Sequence, residues 1–196
     1  MQMNTEIRSN GLYYCCHLGY SPYDKSDITT FFVRNPNGYG LENYIKNYAF
    51  YDEKYHLMRT YIVRSEETNE LVGYFSLKAG LITSNIHNSN GSNQTETLPG
   101  IELANFAINS TFTEKYNIKN IGISIFNGFI LPIITDVSQD IAVKIIYIYA
   151  LPFDRLIEHY TKYGFQRMSA DIEYLIHSYI KPAYDQGCIF MYQPLP

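Results

Sequence analysis

Apolar and polar positions along this chain change period several times, and each change predicts an element. In GLENYIKNYAF (40–50), Leu41, Tyr44, Ile45, Tyr48 and Ala49 recur at i, i+3, i+4, i+7 and i+8, which is one face of a helix. MRTYIVR (58–64) and ELVGYFSLKAG (70–80) are rich in β-branched and aromatic residues, and the short polar SEETN between them predicts an antiparallel hairpin. VKIIYIYAL (143–151) is a nearly unbroken β-branched run, as expected of a strand buried on both faces. FDRLIEHYTKYGF (153–165) reads as a helix closed by Gly164, IEYLIHSYI (172–180) as a further helical segment, and GCIFMYQ (187–193) as a last strand.

The remaining segments have weaker patterns. Residues 1–27 read as irregular, and ITTFFV (28–33) reads as a strand. SNIHNSNGSNQTET (84–97) is polar and without period, which predicts an exposed loop; Pro99-Gly100 ends it and IELANFAIN (101–109) is the next strand. After STFTEKYNIKN a helix carries Ile125, Phe126, Phe129 and Ile130 and runs through Pro132 with a kink. The order of strands and helices gives an α/β fold, with a mixed, mostly antiparallel sheet flanked by helices, in one domain over 1–196.

Composition narrows the function classes. A chain of 196 residues, 46% apolar and 17% charged, is built to bury a core. A net charge of -4 argues against salt-driven binding to nucleic acid or anionic membrane. No positive-then-apolar leader is present, and the longest apolar run, roughly Ile121 to Ile134, is broken by Ser124, Asn127, Gly128 and Pro132, so a cytoplasmic, membrane-free protein is expected. Three cysteines, two of them adjacent (Cys15, Cys16), fit neither a disulfide framework nor a zinc site, and no metal is expected. No Gly-x-Ser-x-Gly elbow supports a hydrolase triad.

KNIGIS (119–124) puts a glycine and a serine where a loop becomes a helix. Small residues let an anion approach the backbone, and the helix start offers free N–H groups. Lys119, Gly122 and Ser124 therefore form a candidate phosphate site, although an ordinary helix start uses the same residues.

Three landmarks in order resemble the GNAT acetyltransferase superfamily from about residue 28 onward. VGYFSLKAG followed by a loop and IELANFAIN is similar to the family's third and fourth strands. KNIGIS is similar to its Gln/Arg-x-x-Gly-x-Gly/Ala pyrophosphate motif, with Lys119 and Ser124 as departures, and HYTKYGF is similar to its Tyr-x-x-x-Gly-Phe signature. The combination of RTYIV, VGYFSL and ANFAIN looks closest to the branch of acetyltransferase toxins and related bacterial enzymes.

The resemblance implies acetyl-CoA as cofactor, with Lys119, Asn120, Ile121, Gly122, Ile123 and Ser124 at its pyrophosphate and Phe106, Ala107 and Ile108 as the strand edge along the pantetheine arm. An N–H of that edge would face the oxyanion. It implies Glu102 as general base for the incoming amine and Tyr160 as the acid beside the coenzyme sulfur. The expected reaction is direct N-acetylation of a primary amine on a small molecule, peptide or protein. Acetylation of aminoacyl-tRNA, as by a toxin, and a silent fold that binds coenzyme A or a protein partner are the alternatives. Against tRNA stand the acidic balance and Asn105, where the toxin relatives carry arginine. A homodimer is left open.

Overall fold

The β-branched runs become strands because their side chains alternate between packed faces, and the computed structural model describes them within residues 7–87, 93–179 and 187–195. By internal contacts the chain forms two compact units, Met1–Lys78 with Ala104–Ile133, and Ala79–Leu103 with Ile134–Pro196.

In the first unit, β1 (Arg8–Ser9), β2 (Tyr13–His17), β3 (Arg59–Ser65), the opening part of β4 (Leu71–His87) and the closing part of β5 (Asn93–Ile108) are neighbours in that order. The first three pairings are antiparallel, and β3 meets β4 from Arg59↔Leu77 to Arg64↔Leu71, which is the predicted hairpin. Residues 1–27 are not irregular throughout: Tyr13 to His17 pair with Ser65 to Tyr61.

The helices of this unit cover its core. Short α1 (Asp24–Asp27) leads into a 3₁₀ turn, Ile28–Thr30, which replaces the strand expected over 28–33. Ile28 and Phe31 are buried one turn apart, while the Thr29 and Thr30 hydroxyls donate back to the Ser26 and Asp27 carbonyls. Local satisfaction of the threonines thus outweighs their β preference. The amphipathic stretch forms α2 (Tyr39–Asn47) and α3 (Ala49–Lys54). Their Ile45 and Ala49 pack with Phe31, Ile62 and Tyr74, all fully buried. Burying each such large apolar side chain is worth about 1.5–3 kcal/mol.

Beyond β5, Asn109 caps α4 (Ser110–Tyr116) by accepting from Thr111 N at 3.2 Å. Its amide also donates to Leu71 O at 2.9 Å, which ties that helix start to β4. The quoted glycine turn then opens α5 (Ile121–Ile125), a π turn over Phe126–Ile130, and α6 (Leu131–Asp140). The π turn lies just upstream of Pro132, whose ring and missing N–H oppose a regular turn there. Helical residues Ile121–Asp140 are long and apolar enough to cross a membrane by length and composition. Ile125, Phe126, Phe129 and Ile130 are completely buried, as in a core helix.

In the second unit, β6 (Ile145–Ala150) runs parallel to β5, and β8 (Ile189–Pro194) pairs antiparallel with both β6 and β7 (Gln166–Arg167). A parallel neighbour requires a crossover, here the helical stretch between β5 and β6. The predicted helices form as α7 (Asp154–Lys162), ended by Gly164 at φ +95°, and α8 (Ala170–Tyr179). Ile82, Ile145, Tyr147, Ile176 and Phe190 make the core. The polar stretch read as a loop, 84–97, is shorter than expected: β4 reaches His87 and β5 starts at Asn93, and the tip 88–92 lies outside the described residues, as do 180–186.

Candidate active site

The first unit holds the residues read as cofactor-binding. Asn120 adopts a left-handed conformation (φ 62°), which asparagine tolerates, and turns the chain into α5. Ser124 N reaches Asn120 O at 3.2 Å and closes the first turn. The N–H groups of Ile121, Gly122 and Ile123 precede any intrahelical acceptor, and no side chain caps them. Lys119 and Asn120 are exposed, Gly122, Ile123 and Ser124 half-buried, and Ile121 buried.

An open groove of about 530 Å³ runs along this turn. Lys119, Asn120 and Ser124 line it together with Leu12, Ile118 and Asn127. A backbone turn with open donors beside an exposed lysine suits an anion. The π turn contributes Asn127, which the sequence reading did not include. Phe106, Ala107 and Ile108 do not line the groove; they end β5, with Ala107 buried and its neighbours half-buried. At Gly73 a Cβ would come within 2.7 Å of the Ala107 carbonyl, so glycine lets β4 approach this edge closely.

The second unit holds the two residues read as catalytic. The parallel ladder between β5 and β6 runs from Gly100↔Ile145 to Glu102↔Tyr147 and ends there, leaving Glu102 at its last register position. Glu102 is only 4% exposed and accepts from Tyr147 Oη at 3.5 Å. Burial, reinforced by the Glu102 charge, pushes the phenols of Tyr147 and Tyr149 far up. Both therefore remain proton donors at neutral pH. The sequence pattern marks VKIIYIYAL only as a buried strand; the signal for Tyr147 lies in two phenols at i and i+2 in an otherwise aliphatic run.

Tyr160 stands on α7, apart from that pair. Its ring meets Tyr163 at 6.1 Å and Phe165 at 5.7 Å, both edge-on. Burial pushes its phenol up to about 12. Tyr160 as a whole is half-buried. The Cys15-Cys16-His17 run is part of β2, where both thiols are buried and burial pushes that of Cys16 up to about 11.

No protein-family model and no curated protein matches this chain. Solved structures do. A tyrosine-to-phenylalanine mutant of the toxin AtaT is similar over 99% of this chain and 95% of its own, with a TM-score of 0.69 at 12% identity. The corresponding values for a tyrosine-to-phenylalanine mutant of KacT are 93%, 95%, 0.65 and 14%. For AtaT complexed with acetyl-methionyl-tRNAfMet they are 93%, 94%, 0.67 and 11%. The AtaT mutant is also seen with acetyl-CoA and the C-terminus of the antitoxin AtaR. The chain has the GNAT fold.

Within that fold the features read from KNIGIS and HYTKYGF take structural form: KNIGIS starts the helix that crosses from β5 toward β6, and Tyr160 ends a helix closed by Gly164. The sheet is mixed and mostly antiparallel, with flanking helices, as expected.

Proposed function

We propose that this chain is an acetyl-CoA-dependent N-acetyltransferase and that its acceptor is the α-amine of an aminoacyl-tRNA. The observation that carries the acetyltransferase reading is the anion-suited groove at 119–124 in a chain whose fold spans that of AtaT almost end to end. AtaT in complex with an acetylated aminoacyl-tRNA supports the acceptor. This inverts the order of acceptors expected above.

The residues present fit the coenzyme. The open N–H groups of Ile121 to Ile123, with Lys119, Asn120 and Ser124, would hold its pyrophosphate, and the backbone of Phe106 to Ile108 its pantetheine arm. Acetyl-CoA, when bound, supplies an acyl group activated as a thioester. Glu102 takes the proton from the incoming ammonium, directly or through water, and so frees the nitrogen lone pair. Tyr160 would give its phenolic proton to the departing sulfur and regain one from solvent, which takes up the second proton lost by the nitrogen as the amide forms. Tyrosine-to-phenylalanine mutants are among the AtaT and KacT structures that this chain is similar to.

A second acceptor class, a small-molecule, peptide or protein amine, is favoured by Asn105. Its side chain contacts the Met58 sulfur at 3.7 Å and offers no cation to a phosphate backbone.

The test has two stages. Acetyl-CoA at about a hundred times its Kd stabilises by about 2.7 kcal/mol, which raises the melting temperature by roughly 5–10 °C; Gly122→Glu abolishes the rise while the protein still folds. Labelled acetyl-CoA then transfers its acetyl group to aminoacyl-tRNA and not to deacylated tRNA. No thermal shift would sink the cofactor reading, and transfer to free amines in preference to aminoacyl-tRNA would return the second acceptor class to first place.

A further inference from the structure

Tyr147 presents a question that packing does not answer. Its ring fills the core of the second unit, at 5.6 Å from Phe190 and 5.9 Å from Tyr149, and a phenylalanine would fill that space equally well. The hydroxyl needs a reason, because a buried hydroxyl costs free energy unless it is hydrogen-bonded.

Two strands make room for it. An ideal Cβ on Gly80 of β4 would overlap Tyr147 Oη outright, and one on Gly100 of β5 would come within 3.0 Å of the ring and 2.9 Å of Ile145 Cγ1. Both positions lack a side chain just where the phenol lies. The slot delivers Oη to Glu102 Oε2 at 3.5 Å, across the last register pair of the parallel ladder.

We infer that Tyr147 is a positioning residue for Glu102: seated between Gly80 and Gly100, its hydroxyl donates to the carboxylate and helps set the direction in which that carboxylate points. The inference rests on the reading of Glu102 as general base. A donor whose own position is fixed by two glycine gaps narrows the orientations open to the carboxylate before the amine arrives. The phenol does not compete for the amine's proton, since burial and the adjacent negative charge keep its own proton in place.

The test begins with the free protein. Infrared spectra of protein carrying isotope-labelled glutamate identify the Glu102 carboxylate band as the one missing from Glu102→Gln. In Tyr147→Phe that band shifts, because the carboxylate has lost a donor, while the melting temperature is retained. Gly80→Ala, which displaces Oη without removing it, gives the same shift. With acetyl-CoA and acceptor, Tyr147→Phe lowers kcat about tenfold and leaves the KM for acetyl-CoA unchanged. An unmoved band in Tyr147→Phe overturns the inference. So does full turnover in Tyr147→Phe when Glu102→Gln is inactive. Full turnover in Glu102→Gln removes the general base itself, and the positioning role falls with it.

Discussion

Asp24 of the first unit and Glu102 of the second are both buried carboxylates, and their surroundings differ. Asp24 is completely buried and receives Arg64 at 2.6 Å, with Gly19 N at 2.8 Å and Ser21 N at 3.3 Å on its other oxygen. Arg64 in turn reaches Asp27 at 2.7 Å and Asn69 O at 3.1 Å. Glu102 accepts from the Tyr147 phenol, and burial together with the Glu102 charge keeps the protons of Tyr147 and Tyr149 in place. A full ion pair with backbone donors locks a charge and leaves nothing for a substrate. On the proposed function, the burial of Asp24 marks a structural brace and that of Glu102 a chemical group.

The brace gives the largest effect. Arg64→Met leaves Asp24 buried without its cation, a cost of about 3–5 kcal/mol, and lowers the melting temperature by roughly 6–20 °C. Adding Asp24→Asn recovers part of that loss. The chemical group comes next: Glu102→Gln keeps the melting temperature nearly unchanged and lowers kcat about a hundredfold. Thermal melts and steady-state rates on both variants decide the matter. If Glu102→Gln melts early and Arg64→Met does not, the assignment of roles is reversed.

How much of this could be read from the sequence depends on whether the signal was local. The face of α2, the β3–β4 hairpin and the run IIYIYA declare themselves within a dozen residues by period, turn chemistry and β-branching. Tyr13 to His17 carry no such signal, because β2 takes its register from β3, nearly fifty residues away. ITTFFV carries a misleading one: its β-branched threonines found acceptors three residues back and turned the segment helical. At the site, motif residues were legible one by one. The meeting of Tyr147 with Glu102 was not, since it depends on the parallel register of strands more than forty residues apart and on two glycines that make the space.

Tyr160 sharpens the comparison from the side of the acid. Tyr160→Phe lowers kcat about tenfold and leaves the thermal shift by acetyl-CoA intact, because the ring packing against Tyr163 and Phe165 is retained. Equal turnover in the variant removes Tyr160 from the reaction and leaves proton return to the sulfur to solvent.

The smallest effect concerns a half-buried base, His17. His17 stacks on Tyr61 at 4.4 Å, and its Nδ1 is buried without a partner among the described residues. Burial lowers its basicity below the ordinary 6.5, with Glu53 opposing and Arg59 adding to the effect. Above pH 6.5 the imidazole is neutral in both folded and unfolded chains and contributes nothing. As the pH falls through 6.5 the unfolded chain takes the proton first, so stability declines. His159, lowered by burial and then by Lys162 and Arg155, acts in the same direction. Denaturation measured between about pH 7 and about pH 5.5 isolates these histidines. Over that range Glu42 and Glu70, held below 4.5 by hydrogen bonds to Lys46 and Lys115, stay ionised. His17→Phe keeps the stacking and flattens part of the slope. An undiminished slope would mean that His17 gains its proton without cost in the folded chain, and that burial in this unit is tolerated by charges other than the braced Asp24.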